Sequence, residues 1–167
     1  MTSRDEAGLN AWRAMLLAYN AAMRAIDGDL ERSGSVPLTW YDVLLELNAA
    51  PDGRLRMQEL ADRVVLSRTR VSRLVDEMVT DNMVVKIRDD IDRRVVWAQI
   101  TDVGRKSFRQ TAPRYLRGID EHFSSFLTDL EREVLATALG KVSDAHDPFH
   151  PGALPVAAGT RMKGTNR

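Results

Sequence analysis

Between Met57 and Met78 the apolar residues fall into two sets with one spacing: Met57, Leu60, Ala61 and Val64, then Val71, Leu74, Val75 and Met78. Each set is i, i+3, i+4, i+7, the stripe of a short helix that buries one face. Ser67 lies in the break between them and is the natural N-cap of the second helix, which runs to about Asp81. Two short helices of matching spacing joined by a tight turn form a helix-turn-helix.

With Val71, Leu74, Val75 and Met78 turned inward, the opposite face of the second helix carries Thr69, Ser72, Arg73 and Asp76. Arg68 and Arg70 flank that face at its start. Arginine offers a bidentate fork to guanine, Ser and Thr hydroxyls serve bases or phosphates, and a helix N-terminus favours a phosphate. Ser67, Arg68, Thr69, Arg70, Ser72 and Arg73 are therefore the candidate double-stranded DNA contacts. A basic helix is more often only a solvated face, so the next segment decides between the readings.

The runs "MVVKIR" and "VVWAQI" flank a knot of charge, "DDIDRR". β-Branched runs on either side of a turn predict a two-stranded hairpin over about 84–100. A helix-turn-helix followed directly by such a hairpin is a winged helix, whose tip side chains reach the neighbouring minor groove. Arg94 is the expected groove residue and Arg93 a phosphate contact. Asp92 is placed to orient Arg94, by accepting bonds from its guanidinium or from wing amides. The other possibility is a salt-bridged turn contributing little.

Around this centre the chain reads as helix. Leu9, Trp12, Leu16, Tyr19, Met23, Ile26 and Leu30 follow a 3-4-3-4-3-4 spacing, with Ala14, Ala18, Ala21 and Ala25 beside them. So wide an apolar surface suits a helix packed on its own domain and on a partner chain. A second helix is predicted from Thr39, as N-cap, to Ala49, with a turn at "PDGR". After the hairpin, Thr101 caps a helix expected to continue through Phe108, Ala112, Tyr115, Ile119, Phe123 and Phe126, kinked at Pro113. Thr128 and Glu131 make a capping box for a last helix. From Asp147 the chain is rich in Pro, Gly and small residues and is expected to be a disordered tail.

These residues resemble the MarR-type transcriptional regulators. The similarity lies in "LRMQELADRVVLSRTRVSRLVDEMVTDNMVVKIRDDIDRRVVWAQITDVGRK", about 50 of 167 residues, and most specifically in Asp92-Arg93-Arg94 followed by Thr101 and Gly104. The sequence "DNMV" stands where the family has Gly-Leu-Val, and Asn82 is suited to the left-handed conformation that glycine would supply. The resemblance implies a mainly α (α+β) fold: a winged helix-turn-helix with a helical dimerisation region formed by the N- and C-terminal helices. The implied layout is a dimerisation helix over 1–36, the DNA-binding region over 37–101, C-terminal dimerisation helices over 102–146 and the tail over 147–167. It also implies a homodimer that binds a pseudo-palindromic operator as a repressor, in some members an activator, released by a small, often aromatic or phenolic, effector. Trp12, Leu16, Trp40 and Leu44 are the candidate lining of the effector pocket, although their spacing equally suits plain core.

Composition removes other classes. There is no cysteine, hence no disulfide and no thiolate chemistry. No phosphate loop, nucleophile elbow or triad spacing is present, so no enzyme is expected and no cofactor. His146 and His150 are separated by Pro148, which denies them one helical face, and no metal site is assigned; a metal-responsive regulator stays an alternative. A winged helix that binds only protein is the other. Net charge is zero, but residues 1–53 hold four Lys/Arg against eight Asp/Glu, whereas residues 54–106 hold twelve against nine. A polyanion would dock on the middle segment. With no long apolar span and no charged-then-apolar N-terminus, a cytoplasmic protein without membrane contact is expected.

Overall fold

The computed structural model describes residues 3–64 and 67–146; the expected tail from Asp147, with His150, lies outside the described residues. The first helix, α1, spans Ser3–Arg32. It ends on Gly34 at φ 65°, where Ser35 N–H reaches Leu30 O and Gly34 N–H reaches Glu31 O, each at 3.0 Å. This double closure satisfies the last carbonyls and needs a left-handed residue, which glycine accepts without strain.

The second helix, α2, spans Leu38–Ala49. Thr39 lies within it rather than capping it, a correction to the expected start. Pro37 occupies the cap position, and its hydrocarbon ring has no acceptor to offer. Asp27 of α1 closes this end instead, its Oδ1 accepting from Leu38 N–H at 3.1 Å. A 3₁₀ turn over Pro51–Gly53, with Asp52 and Gly53 both at positive φ, then leads into strand β1, Arg54–Arg56.

Helix α3 spans Met57–Arg63, its first turn closed by Glu59, whose carboxylate accepts from Arg56 N–H at 3.0 Å. Helix α4 spans Arg68–Thr80 with Ser67 as N-cap, and Val71, Leu74, Val75 and Met78 are all buried. Its far end repeats the closure of α1. Asn82, at φ 57°, takes the left-handed position, Met83 N–H reaches Met78 O at 2.9 Å and Asn82 N–H reaches Val79 O at 3.0 Å. Asparagine thus replaces the family's glycine there.

Strands β2, Val84–Arg88, and β3, Val96–Ile100, form the hairpin, in register from Val84↔Ile100 to Arg88↔Val96. The sheet has three strands, not the two expected: β1 joins the free edge of β3, with Arg54 opposite Gln99 and Arg56 opposite Trp97, giving the order β1-β3-β2. Leu55 and Ala98 are buried on one face, and Arg54, Arg56, Trp97 and Gln99 stand on the other.

Helix α5 spans Asp102–His122 with Thr101 as cap, and it runs through Pro113 as one continuous helix. It ends four residues before Phe126, short of the expected extent. Phe123 leaves helical geometry, at φ −140° and ψ −62°, and a 3₁₀ turn covers Ser124–Phe126. Helix α6 spans Asp129–His146, and the predicted capping box is present, with Glu131 accepting from Thr128 N–H at 2.8 Å and Thr128 Oγ1 accepting from Glu131 N–H at 3.3 Å. The described residues fall into two compact units, divided after Phe126.

Two apolar clusters hold the first unit. One joins Val43, Leu44, Leu47, Leu60, Val71, Val75, Met78, Val84 and Ala98 across α2, α3, α4 and the sheet. The other joins Ile26, Leu30, Leu38, Tyr41 and Ala112 of α1, α2 and α5. In the second, the Tyr41 ring stacks on Phe108 at 5.3 Å and tilts against Tyr115 at 4.6 Å.

Beside this aromatic group, burial and then the charge of Glu46 push the Asp42 carboxyl up from 3.8 to about 6. The folded chain holds that proton more tightly than the unfolded one, so stability should fall as pH rises from about 4 through 6. At about 1.4 kcal/mol per unit, ionising Asp42 costs on the order of 3 kcal/mol. Asp42→Asn is expected to raise the thermal midpoint at pH 7 and to flatten its dependence between pH 4 and 6. A variant that kept the full dependence would show that another group carries it.

Candidate nucleic-acid interface

The candidate contacts on α4 all stand on its outward side. Ser67, Arg68, Thr69, Arg70 and Arg73 are exposed and Ser72 is half-buried. Ser67 is engaged as the cap, its Oγ accepting from Arg70 N–H at 3.4 Å, which leaves its hydroxyl proton available to a ligand. Arg68 is paired with Asp62 at 3.3 Å, bracing α4 against α3. Arg70 and Arg73 enter no ion pair among the described residues, so both guanidinium groups are available.

The wing completes the basic surface. A cleft of about 720 Å³ lies between it and the helix-turn-helix, lined by Arg56, Arg68, Ser72, Lys86, Arg88 and Arg94 among others. Of these cations, Lys86 is bound to Asp76 at 2.6 Å, tying β2 to the outward face of α4. That bond fixes the hairpin relative to the helix and consumes one of the acidic charges that would repel a phosphate. Arg93 is exposed at the tip, and Arg94 turns into the cleft.

The tip itself is built on two aspartates. Asp92 Oδ1 accepts from Arg94 N–H at 3.0 Å, one of the wing amides. Asp89 does more: Oδ1 accepts from the N–H groups of Ile91 and Asp92, and Oδ2 from Trp97 Nε1, all at 3.0 Å. These bonds, that from Asp92 foremost and that from Trp97 next, hold its carboxyl below the usual range. Asp89, Trp97, Arg56, Lys86 and Arg88 were not among the residues singled out from the sequence. For Asp89 the available signal was its place at the end of a β-branched run, where a turn-forming carboxylate belongs.

At its root the wing is locked to α5. Thr101 Oγ1 lies 2.7 Å from Asn82 O and 3.1 Å from Met83 O, and it accepts from Gly104 N–H at 3.0 Å. One side chain thus joins the end of α4, the start of β2 and the first turn of α5.

The four candidate effector residues occupy different settings. Trp12 and Leu16 stand exposed on α1, Leu44 is fully buried in the larger core cluster, and Trp40 packs against that cluster. The 720 Å³ cleft is lined by none of them.

The comparisons agree with this geometry. A model described as "MarR family" matches residues 35–95, the span from the start of α2 through the wing tip. The crystal structure of Sco3205, a MarR family transcriptional regulator from Streptomyces coelicolor in complex with DNA, superposes with a TM-score of 0.77 at 26% identity, covering 89% of this chain and 91% of that one. Over residues 35–95 the chain is similar in sequence to the MarR-type regulators, and it shares their winged helix-turn-helix fold. A second Streptomyces coelicolor member of the MarR family, AbsC, superposes with a TM-score of 0.75 at 26% identity, covering 87% of this chain and 95% of the other. Among characterised sequences, the HTH-type transcriptional regulator MhqR of Bacillus subtilis is 28% identical over 145 residues, 87% of this chain and 97% of MhqR. The HTH-type transcriptional repressor MdtR of the same organism is 27% identical over 116 residues, 70% of this chain and 72% of MdtR. Members of the MarR family are transcriptional regulators, not enzymes. No helix among the described residues is long and apolar enough to cross a membrane.

One cluster outside the interface holds metal-ligand types that were not singled out from the sequence. Asp29, Glu121 and His122 bring their donor atoms within 4.8 Å of one another. His122 Nε2 sits 2.6 Å from Asp29 Oδ2, Asp29 also pairs with Arg32, and Arg114 and Arg117 line the same small cleft. Three guanidinium groups there work against a cation, and the His122 hydrogen bond first, with Arg32 assisting, holds the Asp29 carboxyl low. The group is a hydrogen-bonded clasp between the C-terminal ends of α1 and α5.

Proposed function

We propose that the chain is a MarR-type regulator that binds DNA as a homodimer, with α4 in the major groove and the wing at the adjoining minor groove, and that it represses transcription from a pseudo-palindromic operator. The observation that carries the DNA reading is the convergence of Arg68 and Ser72 of α4 with Lys86, Arg88 and Arg94 of the wing around one cleft, with Arg70, Arg73 and Arg93 exposed on the same two elements. The repressor sense is supported by the relative MdtR, which is a repressor. For the homodimer, support comes from α1 and α6. Leu9, Trp12 and Leu16 on the first, and Leu130, Val134 and Leu139 on the second, are apolar and exposed in the single chain. A homodimer would place two α4 helices about 34 Å apart, one turn of duplex. Release by a small aromatic or phenolic effector follows from the resemblance, with Trp12, Leu16, Trp40 and Leu44 as the lining to test.

The experiment is a binding titration against a duplex that the wild-type protein selects from a random pool. Arg73→Ala and Arg70→Ala are each expected to lose about 1–3 kcal/mol on that duplex, since each removes a base-edge fork, while the thermal midpoint stays put. Arg93→Ala should weaken all sequences alike and lower the salt slope, whereas Arg94→Ala should also flatten the preference for A·T pairs at the outer edge of each half-site. Wild-type affinity that ignored salt would point instead to a protein-binding winged helix, because a polyanion ligand must release counterions.

A further inference from the structure

The wing tip is held from a strand that lies outside the hairpin, and this has no counterpart in the roles assigned above. Trp97 of β3 projects from the outer face of the sheet, with the guanidinium groups of Arg54 and Arg56 of β1 lying over its ring at 4.9 and 5.2 Å from the ring centre. Each cation favours the electron-rich ring face, so both contacts steady the indole. Its Nε1–H is thereby aimed along β3 at Asp89 Oδ2, 3.0 Å away. The other oxygen of Asp89 gathers the amides of Ile91 and Asp92, and Asp89 N–H bonds Val95 O at 3.0 Å, so the first half of the turn leading to Arg93 and Arg94 is held by this residue.

We propose that Asp89 and Trp97 form a latch that positions the wing arginines, with Arg54 and Arg56 of the third strand holding the tryptophan half of it. Asp89 and Trp97 are positioning residues: they act through Arg93 and Arg94 and need not touch DNA themselves. The inference rests on the DNA-binding reading of the wing. Without the latch the tip keeps its hairpin register but loses its fixed height above the cleft, and Arg94 must be ordered on binding, at an entropic cost.

Two substitutions isolate the bond. Trp97→Phe keeps an aromatic ring for Arg54 and Arg56 and removes the N–H. Asp89→Asn keeps one oxygen for the amides of Ile91 and Asp92 but turns an NH₂ toward the indole N–H, donor against donor. On the full chain and the duplex selected by wild type, each is expected to weaken binding about tenfold, as for loss of a hydrogen bond to a charged group. The double variant should bind no more weakly than the weaker single one, because both break the same contact. A merely structural role would not alter the effect of another side chain, so the decisive reading is Arg94→Ala made in the Asp89→Asn background, where its cost should shrink. Trp97→Phe binding as tightly as wild type, losses that multiply in the double variant, or an unchanged cost of Arg94→Ala each overturn the latch while leaving the DNA reading intact. A wild-type chain that retains no duplex at all overturns both.

Discussion

Gly104→Ala is expected to destabilise the protein by about 3 kcal/mol, lowering its thermal midpoint by about 10 °C. A Cβ at this position would sit 2.2 Å from Met83 O and 2.9 Å from Ile100 Cγ1. The first contact is with backbone, which has no rotamer to escape into. That carbonyl also accepts from Thr101 N–H at 3.0 Å, so moving it breaks the joint between the wing and α5. Relief would require α5 to shift its first turn and to give up the Thr101 cap, itself contributing about 1 kcal/mol. Gly8→Ala and Gly140→Ala provide the contrast. Both glycines are helical with nothing within 4 Å, and each replacement should stabilise by about 0.5–1 kcal/mol. Calorimetry of the three variants checks the set, and a Gly104→Ala midpoint equal to wild type would mean that the joint is far looser than its distances imply.

Leu16→Asp should have the largest effect on operator binding. Leu16 belongs to neither core cluster and is 39% exposed in the single chain, with Trp12 at 57% and Leu9 at 56% on the same stripe. In the proposed homodimer these residues would form the seam, and a carboxylate placed there would be buried without a partner. The expected result is a monomer by sedimentation, with helical circular dichroism retained because both clusters are untouched. Operator affinity should drop at least a hundredfold, since two linked half-sites exceed one by about that factor or more. A Leu16→Asp chain that still sediments as a dimer would remove α1 from the interface.

The winged helix was legible because its signals are local. The repeated spacing from Met57 to Met78, the caps Ser67 and Thr101, the Thr128–Glu131 box and the left-handed Asn82 are each decided within a few residues, and all are present. What escaped depends on pairing across distance. Strand β1 is three residues long and exists only because Gln99 and Trp97 lie opposite Arg54 and Arg56. Thr39 resembles a cap because nothing in its neighbourhood reveals that Asp27, eleven positions before Leu38, supplies one. The aromatic spacing runs on to Phe126 although the helix stops at His122 and both Phe123 and Phe126 are exposed, since side-chain spacing alone does not record where the backbone turns. In the wing, attention to Asp92-Arg93-Arg94 concealed Asp89, whose importance appears only once Trp97 is placed above it. For the interface itself, the outward residues of α4 were readable from the helical period, whereas the part played by Arg56, Lys86 and Arg88 required the folded cleft.

The bond from Asp27 to Leu38 has a practical corollary for anyone grafting this reading head onto another regulator. Residues 37–101 look like a portable cassette, but α2 would begin in such a transplant with its first amide unpaired, and Leu38 and Tyr41 would lose the Ile26, Leu30 and Ala112 neighbours they share with α1 and α5. A chimera that keeps its grip on DNA must therefore import the last two turns of α1 and the first half of α5 together with the segment between them.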